Sequence, residues 1–116
     1  MDGNLNRELV IIGGGPAGLM AAESALANGA SNVSVYERMG SVARKFLIAG
    51  KGGLNLTHSE PMPQFIQRYL PQTRSIGHWL REFGPDAVRA WAAGLGVETF
   101  VGSSGRVFPT DMKAAP

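Results

Sequence analysis

The 116-residue sequence predicts an α/β fold in which a βαβ unit is followed by added helices and a short β-hairpin. Three observations carry this reading. A glycine cluster, "GGGPAG", separates an apolar run from a helix-forming run. A second apolar run follows about twenty residues later. Beyond it, helical stripes of apolar residues give way to two apolar runs around "GSSG".

Leu9 to Ile12 is a short apolar run bounded by glycine, the pattern of a strand buried on both faces. Ala17 to Asn28 is rich in helix formers, and Gly29 stands where a helix ends in a left-handed residue. "NVSVYE" alternates and is β-branched, so it reads as the second strand. From Met39 to His58 the glycines predict an ordered loop, with "KFLI" a short helix or strand. Pro61 and Pro63 introduce a helix, "PQFIQRYL", ended by Pro71. Ile76, Trp79, Leu80 and Phe83 recur at i, i+3, i+4 and i+7, an amphipathic stripe closed by Gly84. Pro85 and Asp86 suit the first turn of a further helix whose buried face is Val88, Trp91, Ala92 and Leu95, stopped by Gly94 and Gly96. "VETFVGSSGRVFP" then reads as a hairpin. The stripes assign Trp79 and Trp91 to the core.

Composition excludes several classes of function. With no cysteine there is no disulfide, thiolate metal site or dithiol relay, so redox chemistry requires a cofactor. The formal net charge is +2 and the cations are dispersed, which argues against nucleic acid as a partner. No apolar stretch is long enough for a membrane span, and the N-terminus lacks a secretory pattern, so a cytoplasmic protein is expected. Nothing at "TDMKAAP" resembles a terminal element, which suggests an incomplete domain.

Gly13, Gly15 and Gly18 satisfy G-x-G-x-x-G between a strand and a helix, the context that the Rossmann-like dinucleotide-binding motif requires. Gly13 permits the tight turn, Gly15 lets a pyrophosphate approach the main chain, and Gly18 lets the helix lie close to the strand. Pro16 and Ala17 open the helix, whose first N–H groups and dipole favour phosphate. Glu37 ends the second strand at the spacing of the ribose-binding acid. Its charge disfavours a 2′-phosphate, although the adjacent Arg38 can receive one. FAD and NAD share this fingerprint, which does not choose between them.

"AGKGGLNLTH" is not a Walker loop. Lys45 stands where the first glycine belongs, and Gly52, not Ser or Thr, follows Lys51. Gly50, Gly52 and Gly53 instead allow main-chain N–H groups to face a ligand, Arg44 and Lys45 supply charge for a pyrophosphate, and Asn55 can hydrogen-bond a ring or sugar edge. His58 and His78 lack triad partners and are assigned polar surface roles. Glu60, Glu82 and Glu98 show no paired-carboxylate or metal-ligand spacing.

Together "VIIGGGPAGLMAA", "VYERM", "ARKFLIAGKGGLNLTHSE" and "GSSGRVFP" resemble the N-terminal part of the BaiN-like flavoproteins, bacterial NAD(P)/FAD-dependent oxidoreductases. The resemblance covers nearly the whole chain. It implies that the loop carrying Arg44, Lys45, Asn55 and Thr57 lies beside FAD, that NAD(P)H is a possible electron donor, and that Arg106 belongs to a family motif. It departs at Gly53-Leu54, where many members carry Arg-Cys. The expectation is an N-terminal segment of an FAD-binding domain, with a βαβ unit and glycine-rich flavin loop over 1–58 and a helical pair plus hairpin over 59–116. Its function would be to hold the ADP part of FAD in a flavin-dependent oxidoreductase, the segment alone being inactive. The alternatives are an NAD-dependent dehydrogenase and a non-catalytic nucleotide-binding module. Substrate, catalytic residues and oligomeric state are not legible.

Overall fold

The structure, a computed structural model, describes residues 8–50 and 52–114. Residues 1–7, Lys51 and the last two residues lie outside that range, and with them the N-terminal part of the leader reading, the lysine of the second glycine loop and the end of the "TDMKAAP" tail. The chain forms two compact units that divide between Ala49 and Gly50.

In the first unit, β1 (Leu9–Ile12) pairs in parallel with β2 (Val33–Tyr36), Leu9 opposite Val33 and Ile12 opposite Tyr36. Between them runs α1 (Pro16–Ala27), with Pro16 in its first turn, where a missing N–H costs nothing. The helix stops as its sequence predicts. Gly29 takes a φ of 99°, its N–H reaches the Leu26 carbonyl at 3.2 Å, and the Ala30 N–H reaches that of Ala25 at 2.9 Å. This pair of bonds is the Schellman arrangement, which satisfies carbonyls left over by the helix. A one-turn helix, α2 (Arg44–Leu47), follows β2 and settles "KFLI" as helical.

The second unit packs three helices, α3 (Met62–Gln67), α4 (Thr73–Glu82) and α5 (Pro85–Gly94), with a three-stranded antiparallel sheet. Gly77 lets α3 and α4 approach, since a Cβ there would lie 3.3 Å from Ile66 Cγ2. The α5 helix ends like α1, at Gly96, with the Gly96 and Val97 N–H groups on the Ala93 and Ala92 carbonyls. The expected hairpin is present as β4 (Thr99–Val101) and β5 (Arg106–Pro109). Its turn is the three-residue kind. The Gly105 N–H reaches the Gly102 carbonyl at 3.0 Å, and Gly105, at φ 86°, supplies the left-handed residue.

Several sequence expectations need correction. Leu9 to Ile12, expected to be buried on both faces, forms its strand with Leu9, Val10 and Ile12 exposed, since the sheet it joins has two strands among the described residues. The stretch predicted as a loop up to His58 contains a strand, β3 (Thr57–His58), which pairs with β5 and makes it the central strand, so the sheet exceeds a hairpin. Two residues pairing with partners about fifty positions away leave no local period to detect. Trp79, assigned to the core, is 63% exposed, and Leu95, assigned to the buried face of α5, is 61% exposed. A stripe shows which face of a helix is apolar, while the neighbours decide how much of it is covered. The helix begun by Pro61 ends at Gln67, short of the predicted stop at Pro71.

Val107, at the centre of β5, is fully buried, and Leu54 and Ala92 are buried too. Pro109 is tolerated in this central strand for a positional reason. Even-numbered residues of β5 bond toward β4, as the Gly102 N–H to Arg106 carbonyl bond of 2.7 Å shows. Position 109 faces the other way, beyond the end of β3, where no ladder bond is lost. Phe100 and Phe108 stack across the hairpin with centroids 5.8 Å apart, and Arg89 of α5 holds β4 by bonds to the Thr99 hydroxyl (2.8 Å) and carbonyl (3.2 Å).

Candidate nucleotide site

The glycine turn between β1 and α1 has the geometry its sequence requires. Gly13 adopts φ 104°, a conformation other residues rarely take, and its N–H reaches the Tyr36 carbonyl at 2.8 Å. A Cβ on Gly18 would collide with the Gly13 carbonyl oxygen and lie 3.3 Å from Ile11 Cγ2, so this glycine permits the contact of helix with strand. Gly15 differs from both. A Cβ there would meet nothing within 4 Å, so the bare main chain faces open space.

That open space is a cleft of about 300 Å³, at the small end of the roughly 300–1,000 Å³ of ligand pockets. Of the sequence-predicted site residues, Gly15, Pro16, Glu37, Arg38, Arg44 and Lys45 line it. Gly13 and Gly18 shape the turn instead. Ala17, second residue of α1, is exposed and contributes its main chain to a helix start that no side chain caps. The first bond accepted by Gly15 comes from the Leu19 N–H at 2.9 Å, so the N–H groups of the preceding turn are not consumed within the helix.

Glu37 is fixed from two sides. One carboxylate oxygen accepts the Met39 N–H at 2.8 Å and the other accepts the Gly14 N–H at 2.9 Å. The bond from Met39, then that from Gly14, holds this carboxyl below the ordinary glutamate range, with smaller contributions from the Arg38 main-chain N–H and then the Arg38 charge. An ionised carboxylate has about four acceptor sites and these bonds occupy two, which leaves capacity for sugar hydroxyls.

Sequence reasoning missed the part played by Gly14, Ser41, Val42 and Ala43. Gly14, Ser41 and Ala43 are on the cleft wall, and the Ala43 N–H reaches the Gly14 carbonyl at 2.7 Å with Ala43 itself at φ 58°. The available signal was Gly14 itself, the middle of three consecutive glycines and the one that the fingerprint does not demand.

Asn55 and Thr57 belong to the second unit. The Asn55 amide donates to the Thr57 carbonyl at 2.8 Å and the Val107 carbonyl at 3.2 Å, so its donors bind the loop to β5. Thr57 lies in β3 opposite Val107. His58, assigned a polar surface role, joins strand and turn. Its Nδ1 accepts the Glu60 N–H at 3.0 Å and its Nε2 lies 3.2 Å from the Ser104 carbonyl. Arg106 is exposed on β5 opposite His58. Glu60 makes a two-pronged ion pair with Arg68 at 3.0 and 2.7 Å. Among the described residues no three His, Cys, Asp or Glu side chains converge as metal ligands, and no helix is long and apolar enough to cross a membrane.

No curated protein matches the chain. The family described as "HI0933-like protein Rossmann domain" matches residues 7–116. That match takes in the glycine turn, the acid at the end of β2 and the whole second unit, and so the chain belongs to the HI0933-like protein Rossmann domain family, a nucleotide-binding Rossmann fold.

Proposed function

We propose that the cleft of the first unit holds the ADP portion of FAD, and that the chain is the FAD-binding segment of a flavin-dependent oxidoreductase of the BaiN-like kind. The observation that carries this reading is the open face of Gly15 beside the ionised Glu37 and an uncapped helix start. The pyrophosphate would lie against the Gly15 main chain and the first turn of α1, with Arg44 and Lys45 supplying opposite charge. Glu37 would accept the ribose hydroxyls with the acceptor sites that Gly14 and Met39 leave. FAD, when bound, supplies the electron-transfer chemistry, and the chain's contribution is to bind and orient it. In the resemblance the stretch through Asn55 and Thr57 borders the flavin. On this reading Asn55 orders that stretch through its main-chain bonds, and NAD(P)H serves as electron donor.

Calorimetric titration of the chain with ADP, FAD, NAD and NADP tests the proposal. Binding of ADP, with FAD held at most weakly by this segment alone, and weaker binding in Glu37→Ala, is the expected result. Binding of NAD with no response to FAD would transfer the chain to the nicotinamide dehydrogenases, and no response to any of them would remove the nucleotide reading.

A further inference from the structure

The segment after β2 carries Arg38, Arg44 and Lys45, and it is tied back to the glycine turn through one residue that the fingerprint leaves unspecified. Gly14 donates its N–H to Glu37, accepts the Ala43 N–H at 2.7 Å, and lies beneath the Val42 side chain. A Cβ on Gly14 would be 2.6 Å from Val42 Cγ1 and 3.0 Å from Val42 Cβ. The Cγ1 contact could be relieved by rotating the valine, but the Cβ is fixed to the main chain, so the segment itself has to give. Gly14 is not among the glycines at positive φ. Its backbone suits an alanine, and space beneath Val42 is what demands glycine.

Moving residues 42 and 43 moves their neighbours Arg44 and Lys45, because α2 begins at Arg44 directly after the left-handed Ala43. From this we infer that Gly14 and Val42 are a positioning pair, which sets the distance between the cationic segment and the phosphate-facing turn. The inference rests on the nucleotide reading of the cleft. Neither residue needs to touch the nucleotide. Their contact decides where the charges of Arg44 and Lys45 stand.

ADP is the probe, titrated at several salt concentrations into the wild-type chain, Gly14→Ala and Gly14→Ala/Val42→Gly, with hydrogen exchange of the Ala43 amide measured in each. Wild-type binding weakens with salt, since charges at the cleft mouth are screened. Gly14→Ala weakens ADP binding by about tenfold or more, the worth of one charge-assisted hydrogen bond, flattens the salt dependence and accelerates Ala43 exchange. Removing the whole valine side chain, Cβ included, in the double variant restores most of all three, a rescue that general structural damage would not show. Gly14→Ala with an unchanged salt slope, or a double variant no better than the single, overturns the inference while leaving the ADP reading intact. A wild-type chain that binds no ADP overturns the reading on which it rests.

Discussion

Replacing Gly18 by alanine tests the contact between α1 and β1 more sharply than any change to the apolar residues there. The new Cβ would run into the Gly13 carbonyl oxygen, with the Gly13 carbonyl carbon at 3.1 Å and Ile11 Cγ2 at 3.3 Å. Two of these three atoms are main chain in a tight turn, so no side-chain rotation relieves them. Overpacking costs about 1–3 kcal/mol, and a main-chain obstacle places this case at the upper end. Alanine returns up to about 1 kcal/mol of helix propensity, which leaves a net loss of about 2 kcal/mol. Native-state hydrogen exchange at the β1 and β2 amides reads the first unit by itself. At 1.4 kcal/mol per decade the loss corresponds to roughly a thirtyfold fall in protection. Gly15→Ala is the matched control. Gly15 has φ −83° and ψ −173°, ordinary for any residue, and open space where the Cβ would go, so its cost stays within about 0.5 kcal/mol. Wild-type protection in Gly18→Ala, or an equal loss in both variants, would refute the claim that close approach of helix to strand dictates the third glycine of the fingerprint.

The same Gly15→Ala variant, though stable, should bind ADP about tenfold or more weakly by calorimetry, because its methyl occupies the face where phosphate would meet the main chain. The Glu37 carboxyl is held low in the folded chain, so its stabilising contribution is complete above the ordinary glutamate value of about 4.3 and disappears as the pH falls through the lowered value. Exchange measured from pH 6 down to pH 3 should therefore show first-unit protection declining at the acid end, with a shallower decline in Glu37→Gln. Equal slopes would show that the Gly14 and Met39 bonds do not matter to the turn. Asn55→Ala should destabilise the second unit by about 1 kcal/mol, the lower range for losing two bonds from an exposed amide, seen as faster exchange at β5. Gly105→Ala should cost more than that, since φ 86° disfavours a side chain and its Cβ would lie 2.6 Å from His58 Cε1. A thermal midpoint equal to that of the wild type would contradict it.

What the sequence discloses and what it conceals divide by the range of the interactions. Gly13, Gly18 and Gly29 serve local purposes, a turn, a close approach and a helix end, and each is recognisable from its neighbours in the chain. Glu37 is recognisable because a βαβ unit fixes the spacing between turn and acid. Gly14 is not, since its need for glycine comes from Val42, 28 positions away, and shows only when the segment folds back. Asn55 carries a polar amide in a glycine loop, which suits a ligand contact as well as a structural bond, and only the fold reveals that its donors are spent on Thr57 and Val107. Trp79 illustrates the same limit for packing, because a helical stripe contains no record of the surface set against it.

Pro109 has an effect that extends beyond its own strand. Position 55 would be the next rung opposite it if β3 continued toward the N-terminus, and that rung lacks a donor. The imino nitrogen therefore offers no donor with which to prolong the ladder, and the chain ahead of β3 bonds out of register instead, the Leu56 N–H to the Val107 carbonyl and the Leu54 N–H to the Met112 carbonyl. A ring closure at one site thus preserves an irregular stretch elsewhere, and replacing it with a residue that has an amide hydrogen would invite that stretch to straighten.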